Sequence, residues 1–104
     1  MSDKQFVQTF LERLYPLGEA TARMMFGDYC IYIDGKLIGL ICDNKFYLKK
    51  FATNRDFLKD CPEECPYDGA KALPMPNIDD EHFLLEAVRL TILGAPESKP
   101  KKKK

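Results

Sequence analysis

The sequence predicts one α+β domain, in which an antiparallel meander of four or five strands is packed by helices from the two ends of the chain. The chain has 104 residues, of which 45% are hydrophobic, so it supports one core but not two ordinary domains. Apolar residues recur at helical spacing near both ends, and short extended segments lie between them. The turns between those segments are too short for the crossover that parallel strands need.

The first helix is predicted over residues 3–15. Its apolar residues recur three and four positions apart and share one helical face: Phe6, Val7, Phe10, Leu11 and Leu14. Ser2 or Asp3 supplies the side chain that caps its start. Pro16 and Gly18 end it, because neither residue continues a helix readily.

Four strands follow, each rich in β-branched and aromatic residues, over residues 22–26, 29–33, 36–42 and 45–50. Three two-residue turns of the kind that joins antiparallel neighbours separate them: Gly27-Asp28, Asp34-Gly35 and Asp43-Asn44. Gly39 stands within the third strand, where a glycine indicates a bulge or a close approach by another group. We expect an aromatic ring to pack there, that of Phe46 or Tyr32.

Residues 52–60 are predicted to form a short helix between the sheet and the last helix, with Thr53 or Asn54 as its N-cap. Residues 61–76 contain four prolines and are typical of an irregular connection. Within it, residues 71–73 are expected to add a short edge strand to the sheet.

The last helix is predicted over residues 80–93, with Asn77 or Asp79 as its N-cap. Residues 1–94 are therefore expected to form the domain. Residues 95–104 are expected to be a disordered, lysine-rich tail, because they contain almost no apolar side chains.

The formal net charge is zero, with 16 Lys and Arg against 16 Asp and Glu, but five lysines lie in the last six positions. The sequence has no apolar run of about 18 residues, the length that a membrane span needs. Its start lacks the apolar segment and cleavage site of a signal peptide. We therefore expect a cytoplasmic protein without membrane contact.

No group of residues in the sequence indicates catalysis. The one histidine, His82, falls in the first turn of the last helix, far in sequence from any serine or cysteine nucleophile. The glycines are scattered rather than grouped into a phosphate-binding loop. We therefore expect neither enzymatic activity nor a cofactor.

The residues themselves leave two alternative functions open. Lysine runs attract the phosphate backbone without reading bases, so nonspecific nucleic-acid binding is one alternative. The lysines that would carry it are Lys49, Lys50, Lys101, Lys102, Lys103 and Lys104. The other is a thiol or zinc protein that uses Cys61 and Cys65, which share one loop. We predict no metal, because a structural zinc site usually needs a second ligand pair.

One motif is more specific than these signals. Residues 22–36 read ARMMFGDYCIYIDGK, and a strand containing Phe-Tyr-Leu-Lys follows. The motif positions are Arg23, Met25, Phe26, Gly27, Tyr29, Tyr32, Asp34, Gly35, Tyr47 and Lys49. This pattern resembles the N-terminal domain of the TfoX/Sxy family of competence regulators. Cys30 departs from it, because the family has glycine there.

The resemblance implies a bacterial, non-enzymatic module that regulates DNA competence and transcription through protein–protein interaction. It implies partners in the transcription machinery, notably the cyclic-AMP receptor protein, and makes the motif residues the interaction candidates. Both a monomer and a homodimer are compatible with the sequence.

Overall fold

The computed structural model describes residues 3–25 and 28–96 and confirms the α+β fold. The elements are α1 (Lys4–Leu14), β1 (Ala20–Met25), β2 (Asp28–Ile33), β3 (Lys36–Cys42), β4 (Lys45–Leu48), β5 (Glu63–Glu64), β6 (Leu73–Pro74) and α2 (Glu81–Gly94). The first four strands form an antiparallel sheet in sequence order, and β5 and β6 form a separate pair. Neither helix of this described part of the chain is long and apolar enough to cross a membrane.

Helix α1 begins at Asp3, whose carboxylate accepts a hydrogen bond from the backbone N–H of Gln5 at 3.2 Å. It runs into a 3-10 turn, Tyr15–Leu17, which contains Pro16. Four of the five side chains that the helical spacing predicts on one face are buried, namely Val7, Phe10, Leu11 and Leu14. The fifth, Phe6, is partly buried against the same core.

One face of the four-stranded sheet packs against α1 and α2, and we call it the core face. Alternation along β2 places Tyr29, Ile31 and Ile33 on this face, and both isoleucines are completely buried. The buried apolar residues that α2 adds to the same core are Leu84, Ala87 and Val88.

The predicted turn between β2 and β3 is present at Asp34 and Gly35. Their φ angles are 52° and 84°, in the left-handed region that aspartate and glycine tolerate. The Asp34 carboxylate also accepts a hydrogen bond from the backbone N–H of Glu19 at 2.9 Å, which ties the turn to the residue before β1.

Strand β3 contains a bulge. Ile31 pairs with Gly39, whereas Tyr32 pairs with Leu37, so Ile38 is an extra residue on the β3 side. The bulge interrupts the alternation of side chains, which explains why Ile38 and Gly39 are buried side by side.

Gly39 also lets β4 approach closely. A Cβ at this position would overlap the backbone carbonyl oxygen of Tyr47 and lie 3.3 Å from the Cα of Leu48. The expectation that a ring of Phe46 or Tyr32 packs on the glycine is therefore wrong. The close group is the backbone of the neighbouring strand.

Residues 52–60 form a run of hydrogen-bonded turns and not the predicted short helix. Neither predicted cap caps a helix here. The hydroxyl of Thr53 donates to the carbonyl of Leu90 in α2 at 2.6 Å, and the carboxamide of Asn54 points back toward residues that precede it. The side chains of Thr53 and Asn54 thus bond to α2, and residues 52–60 form turns without a continuous run of helical hydrogen bonds.

The side chain of Asn54 is completely buried and makes hydrogen bonds to three residues, two in the chain just after β4 and one in α2. Its Oδ1 accepts a hydrogen bond from the N–H of Phe51 at 2.8 Å. Its Nδ2 donates to the carbonyl of Lys49 at 2.9 Å and to the hydroxyl of Thr91 at 2.7 Å. The Thr91 hydroxyl in turn donates to the carbonyl of Ala87 at 2.7 Å. Both buried polar side chains therefore have partners, as burial requires.

The predicted edge strand at residues 71–73 does not extend the sheet. A strand of two residues lies at Leu73–Pro74 and pairs with β5, Glu63 opposite Pro74 and Glu64 opposite Leu73. The main sheet therefore has four strands, and the fifth predicted strand belongs to the separate pair.

The N-cap of α2 is Asp80, and neither predicted cap, Asn77 or Asp79, takes that role. The Asp80 carboxylate accepts a hydrogen bond from the N–H of Phe83 at 3.1 Å. The side chain of Asn77 instead accepts from the N–H of Asp79 at 3.0 Å, which forms a turn ahead of the helix.

We expect Asp80→Ala to lower the free energy of unfolding by about 1 kcal/mol, because it removes this cap. Asp79→Ala is the matched control: it removes an identical charge one residue earlier and should cost less than about 0.5 kcal/mol. Urea denaturation of both variants measures the difference. Equal destabilisation by the two substitutions would mean that charge, and not capping, stabilises the start of α2.

Candidate functional site

The candidate site lies on the sheet face opposite the helices, which we call the outer face. Strand register places Arg23 opposite Cys30, Cys30 opposite Leu40, and Leu40 opposite Tyr47. Paired residues of an antiparallel sheet point to the same side. These four side chains therefore form one row across all four strands.

The connection between β4 and α2 lies over one end of the outer face. The thiol of Cys42 donates a hydrogen bond to the carbonyl of Pro66 at 2.9 Å. Two exposed ion pairs join the same region to β5: Lys45 with Glu64 at 3.7 Å and Lys50 with Glu63 at 3.0 Å. Tyr47 is only 3% exposed although it belongs to the outer face.

The rest of the outer face is open and forms a pocket of about 450 Å³. Its lining residues are Met25, Asp28, Tyr29, Cys30, Leu40 and Tyr67. Met25 at the end of β1 is 42% exposed, and Tyr67 in the connection after β5 is 57% exposed. Two large, accessible, mostly apolar side chains from different parts of the chain thus line the pocket.

The charges near the pocket act on the thiol of Cys30. Burial raises the pKa of this thiol, the charge of Asp28 adds to the rise, and the charges of Lys49 and Arg23 partly offset it. Among the described residues, the side chains of Arg23 and Lys49 make no ion pair or hydrogen bond. Both cations therefore keep their bonding capacity free next to an apolar pocket.

The motif residues fall into several places in the fold. Those on the outer face are Arg23, Met25, Tyr32 and Tyr47. Lys49 follows the end of β4, and its charge lowers the pKa of the Cys30 thiol. Tyr29 lies on the core face, although it also borders the pocket. Asp34 and Gly35 form the β2–β3 turn. Phe26 and Gly27 lie outside the described residues.

Sequence reasoning missed Tyr67, Leu40 and Asp28 as members of the site. Tyr67 follows a proline in an irregular segment, where no periodicity indicates which way a side chain points. Leu40 sits just past the bulge, so its face could not be assigned by counting alternate residues.

The lysines proposed for nucleic-acid binding differ in whether they form an ion pair. Lys50 is paired with Glu63, whereas the side chain of Lys49 is unpaired within the described residues. The remaining members of that set, Lys101 to Lys104, lie outside the described residues.

All four cysteines are free thiols. Burial, with a contribution from neighbouring Asp28, raises the pKa of Cys42 to about 11. Cys61 is half-buried, and its pKa is raised by burial and by Asp60, whereas Cys65 is exposed. Within residues 3–25 and 28–96, no three His, Cys, Asp or Glu side chains are grouped closely enough to hold a metal ion.

We expect iodoacetamide to alkylate Cys65 first and Cys42 last in the folded protein at pH 8. A thiol with a pKa of about 11 contains roughly 100-fold less thiolate at this pH than one with a pKa near 9. Peptide mass spectrometry gives the order, and the rate at Cys42 should increase as the pH rises toward 11. In urea all four rates should converge. Equal rates at Cys42 and Cys65 before unfolding would contradict the buried placement of Cys42.

Two comparisons with known proteins relate the chain to others. The sequence model of the TfoX N-terminal domain matches residues 12–94. An "Uncharacterized 12.7 kDa protein in trpE 5'region" of Spirochaeta aurantia is 28% identical over 105 residues, which cover 99% of this chain and 91% of that protein. The family match includes the four strands of the sheet, the whole of α2 and only the last turn of α1.

Proposed function

Because the chain belongs to the TfoX N-terminal domain family, we propose that it is a non-enzymatic regulatory module of the competence type that acts by binding a protein of the transcription machinery. The family membership supports a competence-related regulatory domain. The binding role extends that assignment and rests on the outer face.

The observation that carries the proposal is the open pocket between Met25 and Tyr67 on the outer face. Helices cover the core face, but no helix within residues 3–25 and 28–96 covers this part of the sheet. Exposed apolar side chains grouped around a concavity are typical of protein interaction sites. Tyrosine is enriched in such sites because it offers a large rigid contact area, and methionine because it adapts to its partner.

The groups around the pocket favour binding over catalysis. The Cys30 thiol has a raised pKa, which disfavours the thiolate that a nucleophile needs. His82 belongs to α2 and does not line the pocket. The pocket therefore lacks the histidine that commonly activates a thiol nucleophile.

The proposed partner is a transcription regulator of the cyclic-AMP receptor type, which family resemblance suggests, or RNA polymerase. The test is isothermal titration calorimetry of the full chain against each protein purified from the same organism. Tyr67→Ala and Met25→Ala should each weaken binding at least about tenfold, as loss of an anchor side chain does.

Met24→Ala is the matched control for Met25→Ala. Met24 is the preceding residue and is 60% exposed, but it points toward the other side of the same strand. Its replacement should change the affinity less than about twofold. No binding by the unmodified chain to either protein, or equal losses at Met24 and Met25, would refute the proposal.

A further inference from the structure

The cations beside the outer-face pocket differ in whether they already have a partner. Lys45 and Lys50 are held by the glutamates of β5. Arg23 and Lys49 are not paired within the described residues. Arg23 lies directly opposite Cys30 in the sheet, and Lys49 follows β4, where its backbone N–H donates to the carbonyl of Ile38 in β3 at 2.9 Å. Both charges lower the pKa of the Cys30 thiol. Cys30 lines the pocket. Two free positive charges therefore border one apolar cavity.

The pocket lining also contains one acidic residue, Asp28. Asp28 begins β2 and pairs with Met25, whereas Arg23 pairs with Cys30. Its negative charge raises the pKa of the Cys30 thiol, which the charges of Lys49 and Arg23 lower. The two cations outnumber this one carboxylate, so an incoming anion meets a net positive charge.

The cavity between these charges suits an apolar group. Its volume of about 450 Å³ lies in the range of pockets that enclose a small ligand or a few atoms of backbone with one large side chain. Leu40 forms part of the lining, and Met25 and Tyr67 rise on two sides. An apolar side chain that enters here is flanked by the two cations.

We propose that the outer face recognises an acidic peptide segment of its partner, in which one apolar side chain enters the pocket and flanking carboxylates pair with Arg23 and Lys49. This inference rests on the proposed function that the outer face binds a protein. The apolar anchor supplies most of the affinity, because exposed ion pairs contribute little. The two cations select an acidic partner and speed its association.

The test is an NMR titration of the full ¹⁵N-labelled chain, which detects weak binding. The probes are three capped pentapeptides: glutamates around a central leucine, the same glutamates around alanine, and lysines around leucine. A 12-base-pair DNA duplex is the fourth probe. The acidic leucine peptide should shift the amides of Cys30, Leu40 and Tyr67 most strongly, and raising the salt from 50 to 300 mM should weaken its binding.

Substitutions of Arg23 and Lys49 test whether each charge contributes to binding of the acidic peptide. Arg23→Ala and Lys49→Ala should each weaken the acidic leucine peptide about threefold at low salt. Arg55→Ala and Lys59→Ala are the matched controls, because both residues are exposed, lie in the turns after β4, and do not act on the Cys30 thiol as Arg23 and Lys49 do. A double variant, Arg23→Glu with Lys49→Glu, should prefer the lysine peptide.

Several outcomes would overturn this inference. They are equal shifts from the acidic and basic peptides, no dependence on the central leucine, or stronger binding of the duplex to the same amides. If the transcription proteins bind the outer face but the acidic peptide does not, the inference alone fails. If the peptide binds as expected but neither transcription protein does, the proposed function fails and the recognition chemistry stands.

Discussion

Gly39→Ala is expected to lower the free energy of unfolding by about 3 kcal/mol or more, the upper range for overpacking a core. The added methyl group would overlap the carbonyl oxygen of Tyr47, so β3 and β4 would have to separate at the centre of the sheet. Backbone atoms give way less easily than side chains, because their hydrogen bonds hold them. Urea denaturation monitored by circular dichroism measures the effect.

Gly69→Ala is the control for this substitution. Gly69 has open space around it but a φ of 89°, which a side chain tolerates poorly. Its replacement should cost about 1 kcal/mol through backbone strain alone. If Gly39→Ala costs no more than Gly69→Ala, close approach of β4 is not the reason for the glycine.

Asn54→Ala is expected to lower the free energy of unfolding by about 3 kcal/mol. The substitution leaves the Phe51 N–H and the Lys49 carbonyl without their partner, and each unsatisfied buried group costs about 1 to 3 kcal/mol. It also frees the Thr91 hydroxyl from a contact that joins α2 to the chain after β4. The same denaturation experiment applies.

Asn77→Ala provides the comparison, because Asn77 is exposed and its side chain accepts one hydrogen bond within the described residues, from the N–H of Asp79. The loss there should stay below about 1 kcal/mol. Thr91→Val tests the network from its other end and should cost less than Asn54→Ala, because one bond to Asn54 and one to Ala87 are lost. Equal costs at Asn54 and Asn77 would mean that the buried network adds no stability.

Most of the sheet could be predicted because its determinants are local. Alternation in β2 decides that Ile31 and Ile33 face the core, and the Asp34-Gly35 pair decides the turn. The spacing of apolar residues likewise decides which side of α1 is buried. Each of these features depends on residues within a few positions of one another.

The features that prediction missed depend on distant segments. Whether residues 52–60 form a helix is decided by bonds from Thr53 and Asn54 to α2, more than 30 residues away. The place of Tyr67 in the site likewise depends on how a loop docks on the sheet. The N-cap of α2 could not be predicted for a different reason. Three residues near the start of the helix, Asn77, Asp79 and Asp80, all have side chains that can cap it, so the sequence does not distinguish among them.

The two sides of the outer-face pocket belong to parts of the molecule with different resistance to opening. Met25 and Leu40 stand on the hydrogen-bonded sheet, whereas Tyr67 stands on a connection fastened by two exposed ion pairs and one thiol hydrogen bond. Exposed ion pairs weaken as ionic strength rises. Raising the ionic strength should therefore loosen the fastening on the Tyr67 side before it affects the sheet, although the burial of Tyr47 still opposes opening. One wall of the pocket is thus held by backbone hydrogen bonds and the other by side-chain contacts.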